Sequence, residues 1–343
     1  MPSRRGITIY DIAKEAGVSP STVSRVLTHS PGVRPEKRAL VQALVDKHHF
    51  IPNVMAKNLS ETTRRMIGMV CADVRNPYYA GLFVECERAA YDRGYVLILH
   101  NTFAQDDLEI LSLEKMYEQR VDAIIVSGGV IDRIEPPQPY LKTLARVAAA
   151  MPVVIAGLAD NPQCYQVAID HAEGMRLAVT HLTSLGHTRI AYLTCAPGIY
   201  LSRDKLDAFF EAMHAAGLAV RREYIVEGRD FNERTGYSSM NRLLNLQERP
   251  TAVIAINDLT AAGALQAIVH SGYRVPDDFS LLSFDNSFIA GLMTPSITGL
   301  DYRYDAYGRM LIDTALGAIK EKKPQGVTRV QPTLVIKDSC RKV

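Results

Sequence analysis

The chain has two textures. From Thr8 to about His49 apolar residues recur at helical spacing, and from Ile67 onward short apolar runs alternate with amphipathic stretches. In the first region Ile9, Ile12, Ala13 and Ala16 share one stripe, with Thr8 placed to cap the helix and Gly17 to end it. Ser19 is a second N-cap, followed by Pro20 at a first helical position, where a missing N–H costs nothing. The spacing predicts a helix over Pro20–Leu27 and another from Pro35 carrying Leu40, Val41, Leu44 and Val45. Only Gly17-Val18-Ser19 separates the first pair, and two short helices joined by such a turn make a helix-turn-helix. Phe50-Ile51-Pro52 closes this unit. Asn53 to Leu59 has the length of a short helix, and Ser60 to Arg65 reads as a polar linker.

The second texture predicts strands at Ile67–Cys71, Val96–His100, Ala123–Ser127, Val153–Ala156, Val167–Asp170, Ile190–Thr194, Ala252–Ile256 and Leu281–Phe284. Helices are expected at Tyr79–Asp92, Leu108–Tyr117, Met175–Leu185, Lys205–Ala216, Thr235–Leu246 and Leu259–Ser271. Continuous apolar strands between amphipathic helices mean parallel sheets covered on both faces. So long a stretch implies two α/β lobes. Short polar residues (Asp73, Asp160, Asn257, Asp285) stand at the strand ends, where open α/β sheets place their ligand crevice.

A length of 343 residues suits two or three domains, and 47% hydrophobic with 22% charged residues is ordinary globular composition. No apolar run approaches membrane-spanning length, and Met1-Pro2-Ser3-Arg4-Arg5 has no apolar segment behind it, so neither a membrane nor a secretory route is expected. Five widely spaced cysteines without a Cys-x-x-Cys point to reduced thiols in the cytoplasm and to no metal site. The net charge of +2 conceals an asymmetry: residues 1–60 carry nine basic and four acidic side chains, and the remainder is slightly acidic. A basic head on an acidic body is the footprint of a nucleic-acid reader, or of a solvated charged helical domain.

Signatures of catalysis are absent. There is no Gly-x-Gly-x-x-Gly after a strand, no phosphate-binding Gly-x4-Gly-Lys, no His-Glu-x-x-His and no Gly-x-Ser-x-Gly. Ser-x-x-Lys occurs at Ser202–Lys205 and again at Ser112–Lys115, in both cases without its companion motifs. No catalytic residue and no cofactor is therefore expected.

On the Pro20–Leu27 helix, Val23, Val26 and Leu27 share the inward side, and Ser21, Thr22, Ser24, Arg25 and Thr28 take the outer one. Ser21 and Arg25 point the same way at i and i+4. Arginine can grip guanine O6 and N7 with two bonds, and short hydroxyls suit phosphates or either base type.

Thr8-Ile9-Tyr10-Asp11-Ile12-Ala13, then Ala16-Gly17-Val18-Ser19-Pro20-Ser21-Thr22-Val23-Ser24-Arg25-Val26-Leu27, resembles the signature of the lactose-repressor (LacI/GalR) family of bacterial transcription regulators. Phe50-Ile51-Pro52-Asn53, Ala56 and Leu59 are similar to that family's hinge helix, and Gly263, Asp285-Asn286 and Ser339-Cys340 lie where the family has them. The resemblance covers residues 7–340. It implies a small all-α helix-turn-helix DNA-binding domain (1–50), a hinge helix and linker (51–65), and an α/β periplasmic-binding-protein-like core of two Rossmann-like lobes (66–343). Lobe 1 is expected at 66–164 and 300–326 and lobe 2 at 165–295 and 328–343, with crossings near Cys164–Gln166, Thr294–Gly299 and Gly326–Arg329.

The DNA contacts implied are Thr8, Tyr10, Ser19, Pro20, Ser21, Thr22, Ser24, Arg25, Thr28, Asn53, Ala56 and Leu59. Leu59 stands at the position of the apolar wedge that kinks the minor groove. Thr28 departs from the Asn usual there. The effector contacts implied are Tyr78, Tyr79, Asp160, Arg203, Lys205, Phe231, Asn257, Asp285 and Tyr304. Lys205 stands where relatives commonly carry Arg, whose two-pronged grip a lysine cannot reproduce; Arg203 is placed to substitute. Counted back from Gly308, Tyr304-Asp305 lies one residue early for the pair that relatives use to bind a phosphocarrier protein, which speaks against that co-regulator.

The expected protein is a cytoplasmic repressor that binds a palindromic double-stranded DNA operator as a homodimer, controlled by a sugar or nucleoside between its lobes. A dimer is expected because no leucine heptad precedes Val343. The alternative is a cytoplasmic sugar-binding or sugar-processing protein with an accessory basic head.

Overall fold

The computed structural model describes residues 7–27, 30–48, 50, 64–161, 163–320 and 326–343. The chain divides into two units, residues 1–64 and 65–343. In the first, helices α1 (Ile9–Glu15), α2 (Pro20–Leu27) and α3 (Pro35–Lys47) surround a core of Ile12, Ala13, Ala16, Val23, Val26, Val41, Leu44 and Val45. Thr8 caps α1 in a reciprocal box: its amide donates to Asp11 Oδ2 at 2.8 Å, and the Asp11 amide donates to Thr8 Oγ1 at 3.4 Å. Gly17 turns the chain at φ +61°, the left-handed conformation expected after a helix end. Leu40, counted with the apolar stripe of α3, is instead exposed. Lys47 and His48 meet Glu15 at 2.8 and 2.7 Å, joining the end of α3 to α1.

The second unit holds two six-stranded sheets. Its strands are β1 (Met66–Cys71), β2 (Val96–Asn101), β3 (Ala123–Ser127), β4 (Val153–Ala156), β5 (Tyr165–Ile169), β6 (Ile190–Cys195), β7 (Ile225–Gly228), β8 (Ala252–Ala255), β9 (Ser280–Asp285), β10 (Thr298–Asp301), β11 (Val327–Val330) and β12 (Thr333–Val335). The helices are α4 (Pro77–Asp92), α5 (Asp106–Gln119), α6 (Gln138–Ala150), α7 (His171–Ser184), α8 (Tyr200–Ala215), α9 (Glu233–Leu244), α10 (Asp258–His270), α11 (Phe288–Leu292) and α12 (Tyr304–Lys320). The first sheet runs β11-β5-β4-β3-β1-β2, all parallel. The second runs β12-β10-β9-β8-β6-β7, parallel except where β12 pairs antiparallel with β10.

Strand period sorts the core. Ile67 and Met69 of β1 and Ala123 and Ile125 of β3 join the cluster that includes Leu82, Cys86 and Ala89 of α4 and Tyr307 and Leu311 of α12. Val70, Ile124 and Val126 face Leu113 and Met116 of α5 and Tyr140, Leu144 and Val147 of α6. Both faces of β1 and β3 are therefore buried, which is why these runs read as continuous rather than alternating.

The lobe crossings correct the expectation by several residues. β5 completes the first sheet before the chain crosses at Asp170. β10 stays paired with β9, so the second crossing lies between Asp301 and Tyr304. β11 pairs with β5, so the third lies at Gln331–Pro332. Sheet edges, which hydrogen-bonded pairing decides, do not show in the apolar pattern. Among the described residues, no helix is long and apolar enough to cross a membrane.

Candidate nucleic-acid interface and ligand cleft

On α2 the inward side is as expected: Val23 and Val26 are buried and Leu27 is half-buried. Ser21 and Arg25 are exposed on the opposite side; Ser19 before the helix, and Thr8 and Tyr10 at the start of α1, are exposed too, Tyr10 by 70%. Pro20, Thr22 and Ser24 are half-buried. Ser19 Oγ joins the hydroxyls of Ser21 and Thr22 at 2.8 and 2.9 Å and accepts from the Thr22 amide at 3.2 Å. The start of α2 thus presents a hydroxyl cluster beside Arg25. Thr28, Asn53, Ala56 and Leu59 lie outside the described residues.

The cleft lies between the lobes of the second unit, beyond the carboxyl ends of their strands, with a cavity volume of about 760 Å³. Of the nine residues expected there, the fold brings together Tyr78, Tyr79, Lys205, Phe231, Asn257 and Asp285. Tyr78 and Tyr79 open α4, whose first turn is capped by Asn76 accepting from the Tyr78 amide at 3.1 Å. Their rings meet edge to face, with centroids 5.0 Å apart. Gly128, at φ +71°, is required beside them because a Cβ there would overlap the Tyr79 hydroxyl. Asn257 caps α10 by accepting from the Thr260 amide at 2.8 Å, and it donates to the Phe231 carbonyl at 3.0 Å. Its amide therefore holds the loop that presents Phe231.

Lys205 is fully buried. Its ammonium donates to the Ile256 carbonyl at 2.9 Å and lies 4.4 Å from the centroid of the Phe284 ring and 5.5 Å from that of Tyr302. Burial lowers its pKa to about 8, against the attraction of Asp285 and Asp204. Asp285 is 6% exposed, and burial raises it to about 7 against the charge of Lys205. Asp285 and Asn286 both hold positive φ, +89° and +47°. That strained corner is clamped from behind by Asp258, which accepts from the hydroxyl of Ser283, and from the amide and hydroxyl of Ser287 at 2.6 and 2.7 Å. Lys337 adds a bond to Asn286 Oδ1 at 2.6 Å.

Three expected residues do not line the cavity. Asp160 is exposed on the loop between β4 and β5. Arg203 is exposed one turn along α8, its guanidinium 5.9 Å from the Tyr200 ring centroid. Tyr304 packs behind the wall, against Gly81 and tilted toward Tyr78 at 6.0 Å. In their place stand residues that the sequence reading passed over: Asp132, Tyr302, Tyr307, and the pair of His171 with Asp204 at 2.8 Å. Burial holds His171 below its ordinary pKa, despite Asp204. Asp132 had only a faint signal: it closes the short turn Gly129–Asp132 that follows β3, in the segment beyond a strand end where the other cleft residues were found.

A helix-turn-helix carried in one chain with two parallel-sheet lobes around a cleft is the build of a DNA-binding transcription regulator. Residues 8–53 match the family of bacterial regulatory proteins named for lacI, and residues 179–340 match periplasmic binding protein-like domains. The HTH-type transcriptional repressor PurR of Mannheimia succiniciproducens is 32% identical over 338 residues, covering 98% of this chain and 99% of that protein. Among solved structures, the lac repressor dimer bound to operator and the anti-inducer ONPF superimposes with a TM-score of 0.87 at 24% identity, over 98% of this chain and all of that one, a likeness of fold. The complex of the transcriptional regulator CelR with cellobiose matches at 25% identity and a TM-score of 0.71, over 97% of this chain and 99% of that one. The chain belongs to the lacI family of bacterial regulatory proteins and is a DNA-binding transcriptional repressor of that type.

Proposed function

We propose that the protein binds a two-fold symmetric operator as a homodimer in the cytoplasm, and that a small polyhydroxylated compound of the sugar or nucleoside class, held in the cleft, adjusts that binding. One observation carries the reading: the chain that bears the exposed Ser21–Arg25 face also bears a cleft lined by aromatic rings, carboxylates and an ammonium. The dimer on operator in the lac repressor structure and the cellobiose in the CelR complex support it by analogy. The coupling is an equilibrium. A ligand that prefers one angle between the lobes shifts the population that holds DNA, and DNA shifts ligand affinity by the same factor. The hinge segment, with Leu59 as its minor-groove wedge, is the proposed link between the two. The cleft binds and releases its ligand without turning it over.

Selection of bound sites from random duplexes tests the DNA half, with a site of two inverted half-sites expected. An asymmetric or absent consensus would refute the dimer reading. Arg25→Ala is expected to weaken binding to the selected site by ~1–3 kcal/mol and to relax the preference at one symmetric pair of base positions. Equal weakening on selected and random DNA would make Arg25 a phosphate contact instead.

A further inference from the structure

The charges that line the cleft do not balance. Around the mouth, Asp73 holds Arg75 through a 2.6 Å bond, and Glu233 and Arg234 offset one another, leaving Asp230 in excess. Deeper in, Asp132, Asp204 and Asp285 face a single lysine, Lys205. Arg203, the second cation expected there, is turned out to solvent beside Tyr200.

These acids are not equivalent. Asp204 accepts from His171, and Asp285 lies under the attraction of Lys205. Asp132 has neither kind of partner. No donor among the described residues reaches its carboxylate, and the nearest charge acting on it is another acid, Glu109, itself buried beneath the amide of Val130. Burial and Glu109 raise Asp132 to about 7. It is half-buried in the first-lobe wall, beside Gly157, and its charge acts on the hydroxyls of Tyr78 and Tyr79.

We propose that the ligand is cationic, a hydroxylated compound bearing a protonated amine, seated with its ammonium against Asp132 of the first lobe and its hydroxyls toward Asp285 of the second. The proposal rests on the cleft being the effector site and narrows that reading. A half-buried carboxylate with no protein donor is left to the solvent that reaches it, and an ammonium at hydrogen-bond distance supplies both the charge and the donors it lacks. A neutral hydroxyl supplies only a donor. An anion would meet the acidic excess, and among the described lining residues the arginines, Arg75 and Arg234, are already set against Asp73 and Glu233. Contact with both acids spans the lobes, so the amine would favour one lobe angle over another, as an effector must.

Isothermal titration of the full chain at pH 7 with glucosamine, galactosamine and mannosamine, each beside glucose, galactose and mannose, tests this. At least one amine is expected to bind about tenfold or more tightly than its hydroxyl twin, with gluconate weaker than either. In Asp132→Asn, checked for native circular dichroism, that preference is expected to fall to near unity, because the amide keeps the shape and loses the charge. The proposal is overturned if no amine binds better than its twin, if none of the six sugars binds, or if Asp132→Asn keeps the preference. A neutral sugar or nucleoside that alters operator binding, where the amines do not, would overturn the cationic ligand and leave the effector cleft standing. Operator binding indifferent to amines, neutral sugars and nucleosides alike would remove both.

Discussion

Asp285→Ala is expected to abolish the rise in melting temperature that the cleft's ligand produces in the wild-type protein. A ligand that binds only the folded state raises its stability in proportion to the logarithm of its concentration over Kd, so loss of affinity appears directly as loss of the shift. Asp285 combines three features that make the effect large: it is almost fully buried, its backbone is held in a strained corner, and it faces the cavity. A hydrogen bond to a charged acceptor contributes about 1.5–3 kcal/mol, and a ligand donor left facing an alanine is also desolvated without a partner. Alanine is strained at φ +89°, so Asp285→Asn is the cleaner companion, since asparagine tolerates positive φ. It is expected to fold as wild type and to bind the ligand at least tenfold more weakly.

The pH dependence follows from the raised carboxyl. Because burial raises the Asp285 carboxyl to about 7, it is increasingly protonated and loses acceptor strength as pH falls toward 6. Ligand affinity is therefore expected to fall from pH 8 to pH 6 in the wild type, and to fall less in Asp285→Asn. A full ligand response in both variants would remove Asp285 from the site.

Gly263→Val is expected to lower the melting temperature by roughly 4–8 °C, the largest stability loss among these substitutions. Gly263 sits on α10 where that helix crosses α9, and a Cβ there would overlap the Glu233 carbonyl oxygen and come 2.7 Å from the Tyr237 amide nitrogen. Gly236 on α9 returns the contact, since its Cβ would overlap the Thr260 carbonyl. The colliding atoms are backbone on both sides, so relief requires the helices to separate. Helix propensity opposes this effect but is smaller: removing a helical glycine gains about 1 kcal/mol, against ~3 kcal/mol or more for forcing the crossing apart. Gly317, exposed on α12 with nothing near its Cβ position, is the control. Gly317→Ala is expected to leave stability unchanged or to raise it by up to about 1 kcal/mol. Thermal melts of the two variants separate the cases, and a Gly263→Val protein as stable as wild type would refute the close crossing.

The helix-turn-helix was legible in one dimension because its determinants are local. Thr8 and Asp11 cap α1, Gly17 ends it, Pro20 starts α2, and Val23 and Val26 face inward at helical spacing. The strand-helix alternation was legible for the same reason: apolar runs bounded by turn residues declare strands wherever both sheet faces are covered. Asn257 and Asp285 could be singled out because each stands at a strand end, and Tyr78 and Tyr79 because the family resemblance places them at the cleft. β7, β10, β11 and β12 were missed because, unlike the equally short β4 and β8, none of them is buried along its whole length.

Tertiary structure decided three things that chain order does not contain. Pairing of β5 with β4 and β11, and of β10 with β9, set where the chain crosses between lobes, because a sheet edge is defined by hydrogen bonds to a distant partner. Helix phase on α8 turned Lys205 inward and Arg203, two residues away, out to solvent, although in sequence either was able to serve as the cation. Burial, which depends on everything packed around a group, then assigned the charges of the cleft. It placed Lys205 against Phe284 and Tyr302, set Asp285 under its attraction, and left Asp132 half-buried without a donor. The sequence by itself determined which elements form and which residues stand at their ends. Which of those residues share a cavity, and with what net charge, arises only when strands far apart in the chain close around the same space.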